Sequence, residues 1–455
     1  MKKSLFYLSF LTSLACVNIA KAQNNCSDQF WGSESLYTFT QPEYTPTPAE
    51  YTPIFINYIG RNGASHMLKD VTTSFVYSIL MKADSAHSLK VDGNKLRKML
   101  LLIQSIERPK LDNLSLSGID ELKGIGTRMR VNYRDVFKPG SCVKVSALKQ
   151  NRMTQSAEAL LAGLGRSLDN PACDKPDYND DDNLQPLGAA PGLKEFATTG
   201  DWKDNVDNIR DAKRPENFNV RFLTRFFEQK FFDSIDETVQ NKFIADMYDL
   251  SLVTNSIKRE ITQAGYTWAQ LDIRSFFTCE ELELFDKLNS AAEFYKSGPG
   301  NDKAGIQVRS AVPLLVNFIN TTDAYSVGQT VAADVRFTTS GSIASLAALM
   351  NIKGANKESA DIYKFDKVWK ASEVIPLAAN IQWILYKGTT PDTRRYYVIK
   401  FMMNEKEVAI DGLKTNAFPY YQWDDVKAYF LKKLNDEWDV EKLSDNMHNY
   451  LLNLK

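Results

Sequence analysis

The sequence predicts an α/β fold that is interrupted by a mostly helical insertion. Apolar runs of strand character alternate with helical patterns at both ends of the chain, and the stretch between them carries helical patterns alone. The 455 residues correspond to two or three domains at about 150 residues each. An apolar fraction of 44% and a charged fraction of 24% are ordinary for a globular protein, so a collagen-like or wholly disordered chain is excluded.

The chain begins with a segment typical of a secretory signal. Lys2 and Lys3 precede an apolar run over residues 5–20, and alanines flank Lys21 at the end of that run. This order predicts a cleaved signal peptide over residues 1–22. The run is too short for a stable membrane span, and no later stretch is long and apolar enough to be one. The sequence therefore predicts an exported, soluble protein in the periplasm or outside the cell.

The first part of the mature chain leads into a strand. Residues 23–50 are polar, aromatic and rich in proline, which predicts an extended arm. An apolar, β-rich run over residues 54–59 predicts a buried strand, and residues 60–63 predict a tight loop after it. The next predicted elements are a helical region at 64–107, a helix at 119–137, a strand at 142–146 and a helix at 154–164.

The middle of the chain breaks this alternation. An acidic run, two prolines and several glycines predict a long surface loop over residues 168–205, and helical patterns follow over residues 206–298. Later elements are predicted as strands at 333–337, 381–386 and 396–401 and a helix after Trp423. The predicted organisation is an α/β domain made of residues 51–167 and 300–455, with residues 168–299 inserted as a loop and a helical cap.

Charge and cysteine content exclude several functional classes. Lys and Arg number 55 against 56 Asp and Glu, and loss of the signal peptide leaves 52 against 56, so no cationic excess is available for nucleic acid.

Four cysteines then remain, and an even number in an oxidising compartment predicts two disulfides and no free thiol. Three pairings are possible, and the short separation favours one between Cys142 and Cys173. No Cys/His spacing fits zinc, so neither a metal nor a cofactor is expected.

Three segments carry a family resemblance when they are taken together. They are residues 51–65, which contain Arg61-Asn62-Gly63, residues 143–164, which contain Arg152, and residues 335–343, which contain Thr339-Ser340-Gly341. Further similar segments lie at 121–137, 404–408 and 419–423. In order, spacing and flanks, the chain resembles the histidine acid phosphatases, and in particular their multiple inositol polyphosphate phosphatase branch. The resemblance implies a mixed sheet flanked by helices, with an inserted helical cap.

The resemblance also shows where the chain departs from the family. The family signature is Arg-His-Gly-x-Arg, whose histidine attacks phosphorus, but Asn62 stands at the nucleophile position and Ser65 at the second arginine position. The family's later His-Ala-Glu or His-Asp motif supplies a phosphate-contacting histidine and a proton donor. The matching residues are Thr339 and then Ser340 or Gly341, so the expected catalytic set is degenerate.

Two arginines at family positions remain, Arg61 and Arg152. The resemblance implies that they converge on one phosphate, which planar guanidinium groups bind well. If they were buried without carboxylate partners, an anion would be favoured between them. The residues alone leave two alternatives open: residues 61–63 as an ordinary Asn-Gly turn, and Arg152 as a solvated arginine at the start of a helix.

The substitutions weigh against turnover. An amide nitrogen delocalises its lone pair and is a very poor nucleophile, and neither Ser nor Gly supplies an acidic proton. The chain has only three histidines, at positions 66, 87 and 448. His66 lies four residues after Asn62 and is expected on the following helix, on its surface or packed, rather than as a catalytic base.

The sequence therefore predicts an exported phosphatase-like protein that is catalytically degenerate and at most binds a phosphate or phosphate ester. Two alternatives stay open. One is an active phosphomonoesterase with an atypical site, which uses His66 or activates water directly. The other is a cell-envelope interaction protein whose cleft is unused. Neither a nucleic-acid partner nor a membrane span is expected.

Overall fold

The computed structural model describes residues 26, 28–40, 43–166, 176–179, 181–326 and 331–455. The predicted signal peptide and Cys173 lie outside the described residues, so the preferred Cys142–Cys173 pairing stays a prediction. Cys142 itself is disulfide-bonded.

One mixed sheet forms the centre of the fold. Its strands are β1 (Tyr51–Arg61), β2 (Cys142–Ala147), β3 (Val331–Thr338), β4 (Asn380–Gly388), β5 (Tyr397–Met403), β6 (Lys406–Glu407) and β7 (Tyr420–Gln422). The strand order is β2-β3-β1-β4-β5-β6, and β7 also pairs with β5. The pairs β2–β3 and β3–β1 are parallel, whereas β1–β4 and the later pairs are antiparallel. The predicted α/β class with a mixed sheet is confirmed.

Helices surround this sheet and form the region between β2 and β3. They are α1 (Phe75–Ser85), α2 (Val91–Glu107), α3 (Leu116–Asn132), α4 (Asn151–Leu164), α5 (Pro191–Thr199), α6 (Trp202–Lys213), α7 (Phe218–Leu223), α8 (Gln229–Phe232), α9 (Glu237–Ser256), α10 (Lys258–Gln263), α11 (Trp268–Leu271), α12 (Cys279–Lys296), α13 (Ile306–Arg309), α14 (Val312–Ser326), α15 (Ser340–Leu349), α16 (Ala371–Val374), α17 (Trp423–Trp438) and α18 (Met447–Leu452). The exact domain boundaries stay a prediction.

The central strands are buried along nearly their whole length, as expected for strands that are covered on both faces of a sheet. All residues of β4 but one are buried, and β3 is buried from its second residue onward. Strands β1 and β3 are parallel neighbours, with Arg61 opposite Thr338 in the last register pair. These two strands therefore end at the same edge of the sheet.

Two predicted elements are wrong in part. The predicted helical region 64–107 is two helices that follow an irregular stretch with a 3-10 turn at Val71–Thr73. Ser74 caps the start of α1, and His87, with a left-handed φ of 50°, lies just after its end. Part of the predicted surface loop 168–205 is helical, because α5 begins at Pro191. Proline is favoured at the first position of a helix, so it starts this helix rather than breaking one.

The predicted N-terminal arm joins the sheet region to the helical region. A disulfide links Cys26 to Cys279, at the start of α12. The guanidinium of Arg274 lies 3.7 Å from the ring centroid of Trp31, and the hydroxyl of Tyr248 donates to the carbonyl of Phe30 at 3.1 Å. On the sheet side, the N–H of Leu377 donates to the carbonyl of Ser35 at 3.0 Å. The arm is thus fixed covalently at one end and by hydrogen bonds at the other.

Candidate functional site

The residues at the family's catalytic positions meet at the carboxyl edge of β1 and β3. Asn62 follows β1 directly, and Thr339 follows β3 directly. Ligand sites of open α/β sheets lie at this edge, because the loops that leave parallel strands converge there. The structure therefore brings the two predicted positions together.

Local backbone contacts hold Asn62. Its side chain is buried at 7% exposure, and its Nδ2 donates to the carbonyl of Gly63 at 2.8 Å. Its own carbonyl accepts from the N–H of Ala378 at 2.9 Å. A Cβ at Gly63 would lie 2.8 Å from the carbonyl oxygen of Gly118, so only glycine fits where this loop crosses α3. These contacts fix the amide of Asn62 at the position where the resemblance predicts an imidazole.

Thr339 caps a helix. Its hydroxyl accepts from the N–H of Ser342 at 3.3 Å, which satisfies a free donor in the first turn of α15. Thr339, Ser340 and Gly341 line a cavity of about 300 Å³. The charged side chains on its wall are Glu293 and Lys296, and no histidine of the described part of the chain lines it. The site thus has hydroxyl groups where the family has a histidine and a proton donor.

Arg61 is buried at 6% exposure, and both of its Nη atoms have partners, whereas its buried Nε has none among the described residues. Its Nη1 donates to the carbonyls of Ser33 and Ile375, both at 2.8 Å, and its Nη2 pairs with the carboxylate of Glu34 at 3.0 Å. Ser33 and Glu34 belong to the arm. The arm therefore supplies both a carboxylate and a carbonyl to the family's phosphate-binding arginine.

Arg152, at the start of α4, likewise pairs with a carboxylate, that of Asp112. Asp112 also accepts from the N–H of Asn151 at 2.9 Å, which fixes it against the helix start. The condition under which an anion would be favoured between the two arginines is therefore not met, because the fold brings Glu34 and Asp112 near them from distant parts of the sequence. No sequence signal marks either acid.

A third carboxyl group that the sequence analysis missed lies in the same region. Glu121 on α3 accepts from the N–H groups of Ala64 and Tyr37, each at 2.8 Å. Burial raises the pKa of Glu121 to about 7, against the opposing effect of those two hydrogen bonds and of the charge on Arg61. This acid therefore holds the loop after β1 to the arm, and it titrates near neutral pH.

We expect the raised pKa of Glu121 to make stability depend on pH. The folded state holds a proton that an unfolded Glu releases near pH 4.3, so the stabilisation is complete below about pH 4 and is lost as pH rises through about 7. The Tm of the wild type should fall between about pH 5 and pH 8. Glu121→Gln, which cannot titrate, should flatten that fall. The control is Asp120→Asn, a neighbour on the same helix, and an equally steep fall in Glu121→Gln would contradict the assignment.

His66 is buried away from this edge. Its Nδ1 lies 2.9 Å from Glu107 Oε1, and its Nε2 lies 3.8 Å from Glu260 Oε1. It lies outside any helix, so the expectation of a helix position is wrong, while the packed position is confirmed. It bridges α2 and α10 and does not line the cavity next to Thr339.

Metal binding and membrane insertion find no support in the described residues. No group of three or more His, Cys, Asp or Glu side chains there is arranged to hold a metal ion. None of the described helices is both long and apolar enough to cross a bilayer.

The fold and the positions at the β1–β3 edge define a phosphatase-like α/β protein. The family model of the histidine phosphatase superfamily (branch 2) matches residues 65–404. The chain belongs to this superfamily. The match begins just after the loop of residues 61–63, and it includes Arg152 and Thr339.

Individual proteins of this superfamily are similar over most of their length. Multiple inositol polyphosphate phosphatase 1 of Gallus gallus is 21% identical over 337 residues, which is 70% of this chain and 69% of that protein. The multiple inositol polyphosphate phosphatase of Bifidobacterium longum, in complex with inositol hexasulfate, has a TM-score of 0.74 at 18% identity and covers 88% of this chain and 97% of its own. The D. castellii phytase has a TM-score of 0.61 at 13% identity, with 92% and 87% covered. The predicted family and fold are thereby confirmed.

Proposed function

We propose that this chain is an exported, catalytically inactive member of the histidine phosphatase superfamily that binds phosphate or phosphate esters only weakly. The observation that carries the proposal is the pairing of Arg61 with Glu34 and of Arg152 with Asp112. Export rests on the predicted signal peptide at residues 1–22.

Inactivity follows from the groups at the reacting positions. A phosphoenzyme route needs an unprotonated nitrogen that attacks phosphorus, and the amide of Asn62 has no such lone pair. The leaving alkoxide needs a proton, and the hydroxyls of Thr339 and Ser340 are far too weakly acidic to supply it. His66 is enclosed by Glu107 and Glu260, so it offers no substitute.

Weak anion binding follows from charge. A phosphate that approaches Arg61 meets a guanidinium that already binds one carboxylate and two carbonyls. It must displace those partners or accept the repulsion of Glu34. The same holds at Arg152, where Asp112 occupies the guanidinium. An anion therefore competes with built-in carboxylates, which lowers its affinity relative to a site with free arginines.

The test is calorimetric titration with inorganic phosphate and inositol hexakisphosphate. Glu34→Gln keeps the size of the side chain and removes its charge, so we expect it to tighten anion binding by about tenfold, as one charged hydrogen-bond partner is worth about 1.5 kcal/mol. Asp112→Asn should act in the same direction. Arg61→Ala should abolish the gain made by Glu34→Gln. The matched control is Asp207→Asn, which removes the same single negative charge from one of the two carboxylate partners of Arg210 in the helical region.

Two outcomes would overturn weak anion binding. Identical heats for the wild type, Glu34→Gln and an Arg61→Ala, Arg152→Ala double variant would show an unused cleft, which is the interaction-protein alternative. A gain of equal size in Asp207→Asn would show a general effect of net charge rather than a site.

A further inference from the structure

A second cavity, of about 300 Å³, lies among helices α6, α7, α9 and α12 of the helical region. None of its lining residues is among the family positions discussed above, nor does any line the cavity next to Thr339. Its volume is at the lower end of the range of small-molecule sites, which is roughly 300–1,000 Å³. The cavity is therefore separate from the family cleft and large enough for a small ligand.

Most of the cavity wall is apolar. Leu284, Phe285 and Leu288 of α12 line it and are 8%, 9% and 8% exposed. Val206 of α6, which is half-buried, and Ala245 of α9, which is exposed, also line it. Each of these side chains keeps some accessible surface, and covering apolar surface with a ligand is favourable. The wall therefore favours a ligand with an apolar body.

The charged residues of this wall are all cations. They are Arg210 in the last turn of α6, Arg214 just after that helix, and Lys242 on α9, and no Asp or Glu is among the described lining residues. The N–H of Arg214 donates to the carbonyl of Arg210 at 2.8 Å, so the two arginines are one helical turn apart. Burial lowers the pKa of Arg214, against the attraction of Glu237, and the charge of Arg210 lowers it further. An anion beside the two arginines would relieve this repulsion.

The guanidinium of Arg214 is available to a ligand. Its side chain is 16% exposed, and the carboxylate of Glu237 lies 3.8 Å away, which is beyond hydrogen-bond distance. None of its nitrogens is buried from water, and none donates a hydrogen bond to a described residue. Its Cζ lies 5.7 Å from the ring centroid of Phe218, which lines the cavity. Arg214 thus offers accessible, unused donors beside the apolar wall.

The acids near these cations lie on the solvent side. Arg210 pairs with Asp207 at 2.6 Å and with Asp211 at 3.0 Å, and these carboxylates are 54% and 68% exposed against 32% for the arginine. Glu237 is 76% exposed. Neither these three acids nor any other described carboxylate lines the cavity. A ligand in the cavity therefore meets the cations and not their partners.

We propose that this cavity binds a small amphipathic carboxylate, the anion of a medium-chain fatty acid. The carboxylate accepts two parallel hydrogen bonds from the planar guanidinium of Arg214. The hydrocarbon chain covers the apolar side chains of α12. An amine would meet cations of its own sign, and a neutral chain would leave the guanidinium without a partner. The site does not depend on the proposed function of the family cleft.

The test is calorimetric titration of the purified protein with butanoate, hexanoate and octanoate. Affinity should rise about fourfold with each added CH₂ group, because each group buries further apolar surface. Octylamine and octan-1-ol carry the same chain without the carboxylate. Each should bind at least about tenfold more weakly than octanoate, since the charged hydrogen bonds to Arg214 are lost.

Two variants locate the site. Arg214→Gln removes the charge and should weaken octanoate binding by about tenfold. Lys213→Gln is the matched control, because it removes the same charge from an exposed neighbour that does not line the cavity. Ala245→Trp adds bulk to the wall from an exposed position and should abolish octanoate binding, so the test does not depend on the folding of Arg214→Gln.

The proposal is overturned if octanoate does not bind, or if octylamine binds as tightly as octanoate. It is also overturned if Arg214→Gln and Ala245→Trp both bind octanoate as tightly as Lys213→Gln does.

Discussion

Phosphate release from inositol hexakisphosphate and from an aryl phosphate is expected to stay below detection for the purified protein. Catalytic groups that act as a unit lose on the order of a million-fold in rate when the nucleophile alone is removed. In the proposed assignment, Asn62 stands at the position of the nucleophile, and Thr339 and Ser340 stand at those of the second histidine and the proton donor. The measurement is colorimetric phosphate detection over an extended incubation at several pH values.

The positive control for this assay is the Bifidobacterium longum multiple inositol polyphosphate phosphatase, which shares the fold. His66→Ala should not change the result, because this histidine is buried between Glu107 and Glu260. Phosphate release by the wild type that is abolished by His66→Ala would contradict the inactive assignment and favour the atypical enzyme instead. Release that survives His66→Ala and is lost in Arg61→Ala would place water activation at the β1–β3 edge.

Arg336→Met is expected to destabilise the fold by about 3–5 kcal/mol, because it leaves a buried charge without its partner. Arg336 on β3 pairs with Asp334 at 2.8 Å, and the two side chains are 5% and 9% exposed. Its guanidinium also donates to Asn57 on β1 and lies 4.8 Å from the ring centroid of Phe318. Loss of the arginine strands Asp334 beneath α14. Chemical denaturation of the variant and the wild type gives the difference directly.

The double variant Arg336→Met, Asp334→Asn should recover part of this loss, because it removes the unpaired charge as well. Lys364→Met is the surface control, since its ion pair with Asp361 is solvent-exposed and such pairs contribute little. If Arg336→Met were as stable as Lys364→Met, the buried pair would not support β3. A change at the β1–β3 edge in this variant could then not be attributed to loss of the Arg336–Asp334 ion pair.

Much of the fold could be predicted because its signals are local. The apolar runs that become β1, β3, β4 and β5 are recognisable from composition, since both faces of a central strand are buried. Asn62 and Thr339 could also be proposed as site positions from the sequence, because each directly follows a predicted strand and lies in a segment that resembles a family motif. The sequence-based predictions are wrong where the same local signal is compatible with two different structures. Pro191 either breaks a helix or starts one, and its place at the first turn of α5 was settled by packing.

The sequence by itself determined the class of fold and the family to which the chain is similar, and it predicted that Asn62 and Thr339 stand where the family has its catalytic histidines. Only the tertiary structure decided how the remaining arginines are used. Arg61 meets Glu34 and Arg152 meets Asp112 across 27 and 40 positions of the chain. The disulfide of Cys26 spans 253 positions. Such contacts leave no periodic or spaced pattern in the sequence, because they depend on where the arm and the loops lie once the sheet has formed.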